Sequence, residues 1–572
     1  MENIQIAKTF EDVADLLEIQ GANPFRVRAY RNAARTIGTL GTPVETILEN
    51  DRHALEELPG IGTDLAGKIA KVCRTGELPL LGQLTRRTPE SLVAMLRIPQ
   101  VGPKRAKLIY RKLHVKTLTE LQQAARAGRL SALRGMGKTL ERTILRGIGQ
   151  DKAHVARVPL AEAEAYIRPL VERLRTLPET EQLDVAGSFR RRRETVGDVD
   201  ILAASRQPAA IAAAFVSYSD VKQVLARGAT KCSILLRSGL QVDLRIVPRA
   251  SYGSALHYFT GSKPHNIAVR LLGVKRRLKI NEYGIFRGAR QVGGRTEEEV
   301  FKAVGLPWIP PELRENHGEI EAARGEGRLP TLVELADIRG DLQMHTDATD
   351  GQHTLAAMVA ACKDLGYEYM AITDHTKAVR VAGGLTKPGF HKQAHAIEAI
   401  RRRFSSPVVL KGAEVDILDD GTLDLDDETL AEFDIVIVSV HSRFNMPKAD
   451  MTRRIVRALQ HPRVHILGHP TGRLLGKREP YPVDMSEILK AARDHAVLLE
   501  INAQPDRLDL KDVYIRMARE AGVKLVINTD AHRTQELSCM RHGVDEARRG
   551  WCEAKDIANT YRLTAFRKLL EK

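Results

Sequence analysis

The 572-residue chain is short of cysteine, of long apolar runs and of any secretory leader pattern. Cys73, Cys232, Cys362, Cys539 and Cys552 are odd in number and never spaced C-x-x-C, which excludes a dense disulfide framework and points to a reducing compartment. No stretch approaches the about 20 consecutive apolar residues a membrane span needs. Residues 1–20 mix acids into an amphipathic pattern, without a cationic segment followed by an apolar one. These absences predict a cytoplasmic protein with no membrane partner. What is present suits several packed cores: 43% of residues are hydrophobic, and the length predicts about three to five domains.

The formal charge of +16 is unevenly placed. Residues 1–300 carry 49 Lys and Arg against 31 Asp and Glu, whereas residues 301–572 carry 39 against 41. A basic block of this kind suits a polyanion, bound with release of its counterions.

The most informative stretch runs from Gly187 to Asp200. It holds Gly187-Ser188, arginines at 190–193, and Asp198 and Asp200 two residues apart. Strand side chains repeat every two residues, so both aspartates face the same way. Adjacent carboxylates repel and are most easily kept ionised by a divalent cation. Asp243 alternates with Val242 and Leu244 in a second strand and becomes a third carboxylate beside the pair. Three aspartates on neighbouring strands meet the needs of a two-cation displacement at phosphorus. Residues 160–177 read as a helix, and 182–186, 233–237 and 240–247 as strands.

Upstream, the chain reads as helical. Leu58-Pro59-Gly60-Ile61-Gly62 is a tight hairpin between helices, and the design recurs at Val101-Gly102-Pro103-Lys104 and at Gly135-Met136-Gly137. Glycines there let backbone N–H groups approach a phosphate. Arg26, Arg28 and Tyr30 add basic and aromatic contacts. Residues 310–337, rich in Pro, Gly, Glu and Arg, read as a linker with short helical pieces. From Gly340 onward short apolar strands alternate with helices, as in a barrel of parallel strands. His345, Asp350, His375, Glu414, His441, His469, Asp530 and His532 fall at strand C-terminal ends, where such barrels place chemistry. That donor set favours more than one divalent metal. His353, His461 and His465 read as structural.

Together these motifs resemble, over nearly the whole chain, a bacterial or archaeal family X DNA polymerase, polymerase-beta-like, with a C-terminal PHP (polymerase and histidinol phosphatase) domain. The resemblance rests on the hairpins, Gly187-Ser188 through Asp198-x-Asp200, Asp243, Tyr258-Phe259-Thr260-Gly261-Ser262 and the metal-ligand series. It implies a multidomain fold: helix-hairpin-helix (1–80), helical fingers with a further hairpin (81–155), an α/β nucleotidyltransferase palm (156–248), an α/β thumb (249–315), a linker (316–337) and a PHP distorted (β/α)7 TIM-like barrel (338–572). The implied function is gap filling from dNTP on primed or gapped DNA by a monomeric enzyme, with 3′-5′ exonuclease or 3′-phosphoesterase activity in the barrel.

By the same resemblance, Asp198, Asp200 and Asp243 hold Mg²⁺ or Mn²⁺. Arg157, Gly187, Ser188 and Arg191 clamp the triphosphate; Tyr258, Phe259 and Gly261 border the sugar, and Asn266 reaches the base edge. Gly60, Gly62, Gly102, Lys104, Arg26 and Tyr30 contact DNA, and Lys68 is a Schiff-base candidate for abasic-site processing unless Asp64 pairs with it. Where the family has arginine two residues before the third aspartate, this chain has Gln241. The barrel takes two to three Mn²⁺ or Zn²⁺ ions: one at His345, Glu414 and Asp530, a second at Asp350, His375 and His532, a third at Glu414, His441 and His469. Gln343 stands where a histidine is expected and is a poorer ligand. An RNA-tailing nucleotidyltransferase, or a DNA-end scaffold with a structural barrel, are the competing readings.

Overall fold

The computed structural model describes residues 3–38, 40, 44–51, 53–58, 60–88, 92, 95, 98, 101, 103–133, 136–137, 141, 144–145, 157–326 and 328–571. They divide into two compact units, 1–156 and 157–572.

The first unit is helical. Helices α1 (Asn3–Gln20) and α2 (Pro24–Gly38) pack through Phe10, Leu17 and Tyr30, joined in one core by Ile61, Leu65 and Ile69. Helix α3 (Thr63–Thr75) begins at Gly62. A second core gathers Ile98, Val101, Ile109 and Leu121 around helices α4 (Pro103–Leu113) and α5 (Leu118–Arg126).

The second unit opens with β1 (Val158–Pro159) and helix α6 (Leu160–Arg175). Strand β2 (Gln182–Val185) leads to the helical turn α7 (Gly187–Arg190), then β3 (Thr195–Val196) and β4 (Asp198–Ala204). Helix α8 (Pro208–Val216) precedes β5 (Val221–Arg227), β6 (Lys231–Leu236) and β7 (Gln241–Val247). The sheet order is β2-β4-β7-β6-β5. In β7 the residues Val242, Leu244 and Ile246 are buried and alternate with half-buried Asp243 and Arg245, the pattern of a strand with one face in the core.

Helices α9 (Tyr252–Thr260) and α10 (Lys263–Lys275) follow, then a small sheet of β8 (Lys279–Asn281), β9 (Gly284–Arg287) and β10 (Arg290–Gly293), and α11 (Glu297–Ala303). Ser262 caps α10 by accepting from the N–H of His265. The stretch expected as a linker is instead a packed strap. Ile320, Leu332 and Val333 are buried, Arg314 and Glu319 are fully covered, and Val333 N–H donates to Cys552 O. Buried apolar residues and satisfied charges hold it where composition predicted a loose spacer.

The remainder is a seven-stranded parallel sheet in sequential order: β11 (Gly340–Asp341), β12 (Tyr369–Ile372), β13 (Val408–Asp416), β14 (Ile435–Ser439), β15 (Ile466–Leu467), β16 (Leu498–Asn502) and β17 (Leu525–Asn528). A parallel bridge between Met344 and Ala531, just past the first and last strands, brings the ends together into a nearly closed barrel. Its strands are buried throughout, apart from partly covered Val408 and Lys411, as parallel strands flanked by helices must be. Helices α12 (Asp512–Glu520) and α13 (Met540–Arg549) pack beside β17.

Candidate active sites

In the palm, Asp200 on β4 is directly opposite Asp243 on the parallel neighbour β7, and Asp198 pairs in register with Gln241. The register therefore gathers the three predicted aspartates on two neighbouring inner strands. Burial, then the charges of Asp198 and Asp243, push the Asp200 carboxyl up to about 7. Burial and Asp243 also raise Asp198. A divalent cation relieves this repulsion, so the donor set fits one. Gln241 donates to Asp243 Oδ1 at 3.0 Å and steers one carboxylate oxygen.

The 187–193 loop is built against this site. Gly187 has φ +68°, and a Cβ there would lie 2.9 Å from Asp200 Oδ2, so the position requires glycine. Arg191 Nη1 donates to Thr260 O at 2.5 Å and Nε to Glu315 Oε1 at 3.0 Å. Gly261, at φ +73°, faces Arg191: a Cβ would lie 3.1 Å from Nη1. Arg191 thus joins two predicted nucleotide motifs, but its guanidinium is already paired. Arg157 donates to Thr195 Oγ1 at 2.9 Å and its O at 2.5 Å. Tyr258 and Phe259 are half-buried, their rings edge to face at 5.2 Å. Asn266 donates to Tyr258 O at 2.7 Å, and its Oδ1 is buried without a partner.

Sequence reading missed the support behind this loop. Arg190 makes two 2.8 Å bonds to Glu297, which also takes Arg314 at 2.6 and 3.1 Å. Burial opposes ionisation of Glu297, but Arg314 and Arg190 hold its carboxyl far below the ordinary range. The run of four arginines was the visible signal; its acidic partners, from 28 to 353 residues away, carried none.

In the barrel, Glu414 on β13 is the hub. Its Oε1 lies 2.9 Å from His469 Nε2 and 3.2 Å from His441 Nε2. Its Oε2 lies 3.4 Å from His345 Nε2 and 3.3 Å from His375 Nδ1. His345 Nε2 is 3.1 Å from Asp530, while Asp350 is 3.6 Å from His375 and 3.4 Å from His532. Three groups have ligand atoms mutually within 4.8 Å: His345, Asp350, His375 and His532; His375, Glu414 and His441; His345, Glu414 and Asp530. All the predicted barrel ligands lie together: His441 and His469 share Glu414 Oε1 as read from sequence, and His375 adds a further imidazole 5.2 Å from the His441 ring.

Several of these groups are incomplete. Gln343 Oε1, His345 Nδ1, His375 Nδ1, Glu414 Oε2 and His469 Nδ1 are buried without hydrogen-bond partners. Imidazoles and carboxylates with unused lone pairs fit transition-metal cations. Gln343 is fully buried, its Nε2 3.5 Å from Asp530 Oδ1 and its oxygen left open. His469 and Asp530 hold positive φ, 26° and 51°, a strained backbone of the kind found where side chains are aimed for function. Behind them, Asp416 lies 3.1 Å from His441 Nδ1 and orients that ring. Sequence reading missed Asp416, although Glu414-x-Asp416 repeats at strand spacing. His461 and His465 serve structural bonds, to Asp427 and to the N–H of Val436, and His353 accepts from the N–H of Thr534.

In the first unit, Gly60 has φ +80°, Ile61 is buried between the two glycines, and the Cβ position of Gly62 meets open space. The hairpin is thus anchored by one residue while its backbone faces outward. Arg26 is exposed, but Tyr30 is buried in the core beside Phe10. Lys68 sits 2.5 Å from Asp64. Burial works against its charge, but Asp64 and Tyr30 outweigh it and raise the amine. Gly102, Gly135 and the side chain of Lys104 lie outside the described residues.

Comparison with known proteins matches these parts in order. Family models match a helix-hairpin-helix domain at residues 1–78, a tandem of such motifs at 92–150, the DNA polymerase beta palm at 157–234, the polymerase beta thumb at 255–315 and the PHP domain at 341–504. The DNA polymerase/3'-5' exonuclease PolX of Bacillus subtilis is 38% identical, with 100% of both chains covered. DNA polymerase lambda of Rattus norvegicus is 26% identical over 55% of this chain and 56% of its own. A probable phosphatase of Thermoanaerobacter sp. is 28% identical over 33% of this chain and 78% of its own. The chain belongs to the PolX family, polymerase-beta-like polymerases of family X that carry a PHP domain.

Proposed function

We propose that the palm adds deoxynucleotides to a primer 3′-OH in short gaps, and that the barrel removes 3′-terminal nucleotides. The observation that carries the first half is the register of β4 and β7, which sets Asp198, Asp200 and Asp243 on neighbouring strands beside the turn at Gly187. Asp198, Asp200 and Asp243 would hold divalent cations, Mg²⁺ or Mn²⁺, which would supply acidity to the attacking hydroxyl and charge neutralisation to the leaving pyrophosphate. The chain's own contribution is placement. Asp198, Asp200 and Asp243 would offer carboxylate oxygens to the cations, Gly187 lets the loop close on Asp200, and Ser188 and Arg157 face the triphosphate. Arg191 serves there only on release from Glu315, an exchange of one anion for another. Tyr258 and Phe259 border the sugar. The hairpin at Gly60–Gly62 offers outward backbone to a DNA phosphate, without reading sequence.

In the barrel, His345, Glu414, Asp530, Asp350, His375, His441, His469 and His532, with Gln343 as the weakest donor, would hold Mn²⁺ or Zn²⁺. Those cations would supply Lewis acidity for phosphodiester hydrolysis. Asp416 keeps His441 oriented. The similarity to PolX of Bacillus subtilis over both full lengths supports both halves.

The test is a 5′-labelled primer on one-nucleotide-gapped DNA, with and without dNTP, in Mg²⁺ and in Mn²⁺. Extension by one nucleotide with dNTP and shortening without it are expected. Extension of RNA but not of gapped DNA would overturn the reading.

A further inference from the structure

The arginine run 190–193 is not spread over solvent. Arg192 donates to Glu164 Oε1 of α6 at 2.6 Å and to Asp545 Oδ2 of the barrel helix α13 at 2.5 Å. Arg541 of the same helix meets the other oxygen of Glu164 at 2.5 Å. Arg549, 6% exposed at the end of α13, donates through Nη1 to the main-chain oxygen of Arg191 at 2.8 Å and lies 3.4 Å from Glu315. Its Nη2 pairs with Asp512 of α12, which also faces Arg193 at 3.7 Å. One loop of the palm is therefore held by two helices of the barrel.

The loop needs such restraint. Arg192 has φ +55°, a conformation that a non-glycine residue keeps only when its surroundings impose it. Two carboxylates, one from each domain, fix its side chain, and Arg549 fixes the carbonyl immediately before it. At the loop's other end Gly187 abuts Asp200. The segment between, with Ser188, is the stretch assigned above to the triphosphate. Asp198, Asp200 and Asp243 are held independently by the β4–β7 ladder. Loosening α13 from the loop should therefore weaken nucleotide binding while leaving the reacting centre in place.

We propose that Asp545 and Arg549, on the barrel domain, are positioning residues for the polymerase reaction: they clamp the 187–193 loop in its nucleotide-holding shape. The proposal rests on the polymerase reading. Neither residue is among the barrel's proposed metal ligands, so the clamp serves the other active site.

Single-nucleotide gap filling by the full chain tests it, with dNTP KM and kcat measured for Asp545→Asn, Arg549→Lys and Arg549→Ala, and folding checked by thermal unfolding. Asp545→Asn and Arg549→Ala are expected to raise the dNTP KM about tenfold with kcat within about twofold, the signature of lost ground-state binding. Arg549→Lys keeps the charge but not the forked geometry and should fall between. Mn²⁺-dependent digestion of single-stranded DNA should match the unaltered chain. Should Arg549→Ala not fold, Asp545→Asn and Arg549→Lys decide. Folded Asp545→Asn and Arg549→Lys proteins with unchanged dNTP KM would overturn the clamp. Failure of the unaltered chain to extend any primer would overturn the polymerase reading and the clamp with it.

Discussion

The two candidate metal sites meet the same electrostatic problem in opposite ways. The palm collects three carboxylates of one sign on adjacent strands, and burial with mutual repulsion lifts Asp200 to about 7. The barrel surrounds fully buried Glu414 with four imidazoles; burial opposes its charge, but His375 and His441 outweigh it and hold the carboxyl well below its usual range. The first site is strained until cations arrive. The second is largely compensated by its own side chains. Ligand charge is therefore expected to cost stability in the palm and to contribute to it in the barrel.

Asp200→Asn is the largest test of that difference. It should lower primer extension by a factor of ~10³ or more, because a cation ligand is lost from the reacting centre. In EDTA at pH 8 the same variant should be more stable than the parent. The folded pKa of Asp200 lies above the unfolded value near 4, so its favourable contribution is present at low pH and is lost as pH rises through about 7. Replacing the charge removes that loss, by ~1–3 kcal/mol in chemical denaturation. A destabilised Asp200→Asn would contradict the strained-site account.

Glu414→Ala should behave oppositely in stability. It leaves four imidazoles around an empty buried position and should cost ~3–5 kcal/mol along with Mn²⁺-dependent digestion. An unfolding midpoint equal to the parent's would show that the barrel site is not self-compensated.

Gly187→Ala comes next. Its Cβ would press on Asp200 Oδ2 at a backbone angle alanine rarely adopts, costing ~1–3 kcal/mol. Extension should fall about 10²-fold with digestion intact, read on the same gel; equal loss of both activities would count against the close approach.

The smallest expected effect is in the first unit. Asp64, with Tyr30, raises the Lys68 amine and holds it in an ion pair, so Asp64→Asn should increase borohydride trapping on abasic DNA above a parent baseline near zero, while gap filling stays within about twofold. No gain in trapping would mean that the Asp64 pair is not what restrains Lys68.

Much of this was legible in sequence because it follows from local periodicity. Asp198 and Asp200 at strand spacing, and histidines at successive strand ends, needed no knowledge of distant contacts. The alternation of short apolar strands with helices from Gly340 is borne out, and β13 is the longest of the barrel strands because its lower half pairs with β12 and its upper half with β14. The two-residue strands β11 and β15 are too short to leave a pattern. The packed strap at 316–337 was misread since its composition is polar and its burial depends on Arg314, Glu319 and the barrel surface. The arginine run told of charge but not of partners, which come from Glu164, Glu297, Glu315, Asp512 and Asp545. Long-range ion pairing has no sequence period.

The most direct test of two separate sites in one chain is a single assay of two variants. Asp200→Asn and Glu414→Gln, each folded, are given the same 5′-labelled gapped substrate with dNTP in Mg²⁺, and without dNTP in Mn²⁺. Asp200→Asn is predicted to shorten the primer and never extend it; Glu414→Gln is predicted to extend it and never shorten it. Loss of both activities in either folded variant would contradict the account.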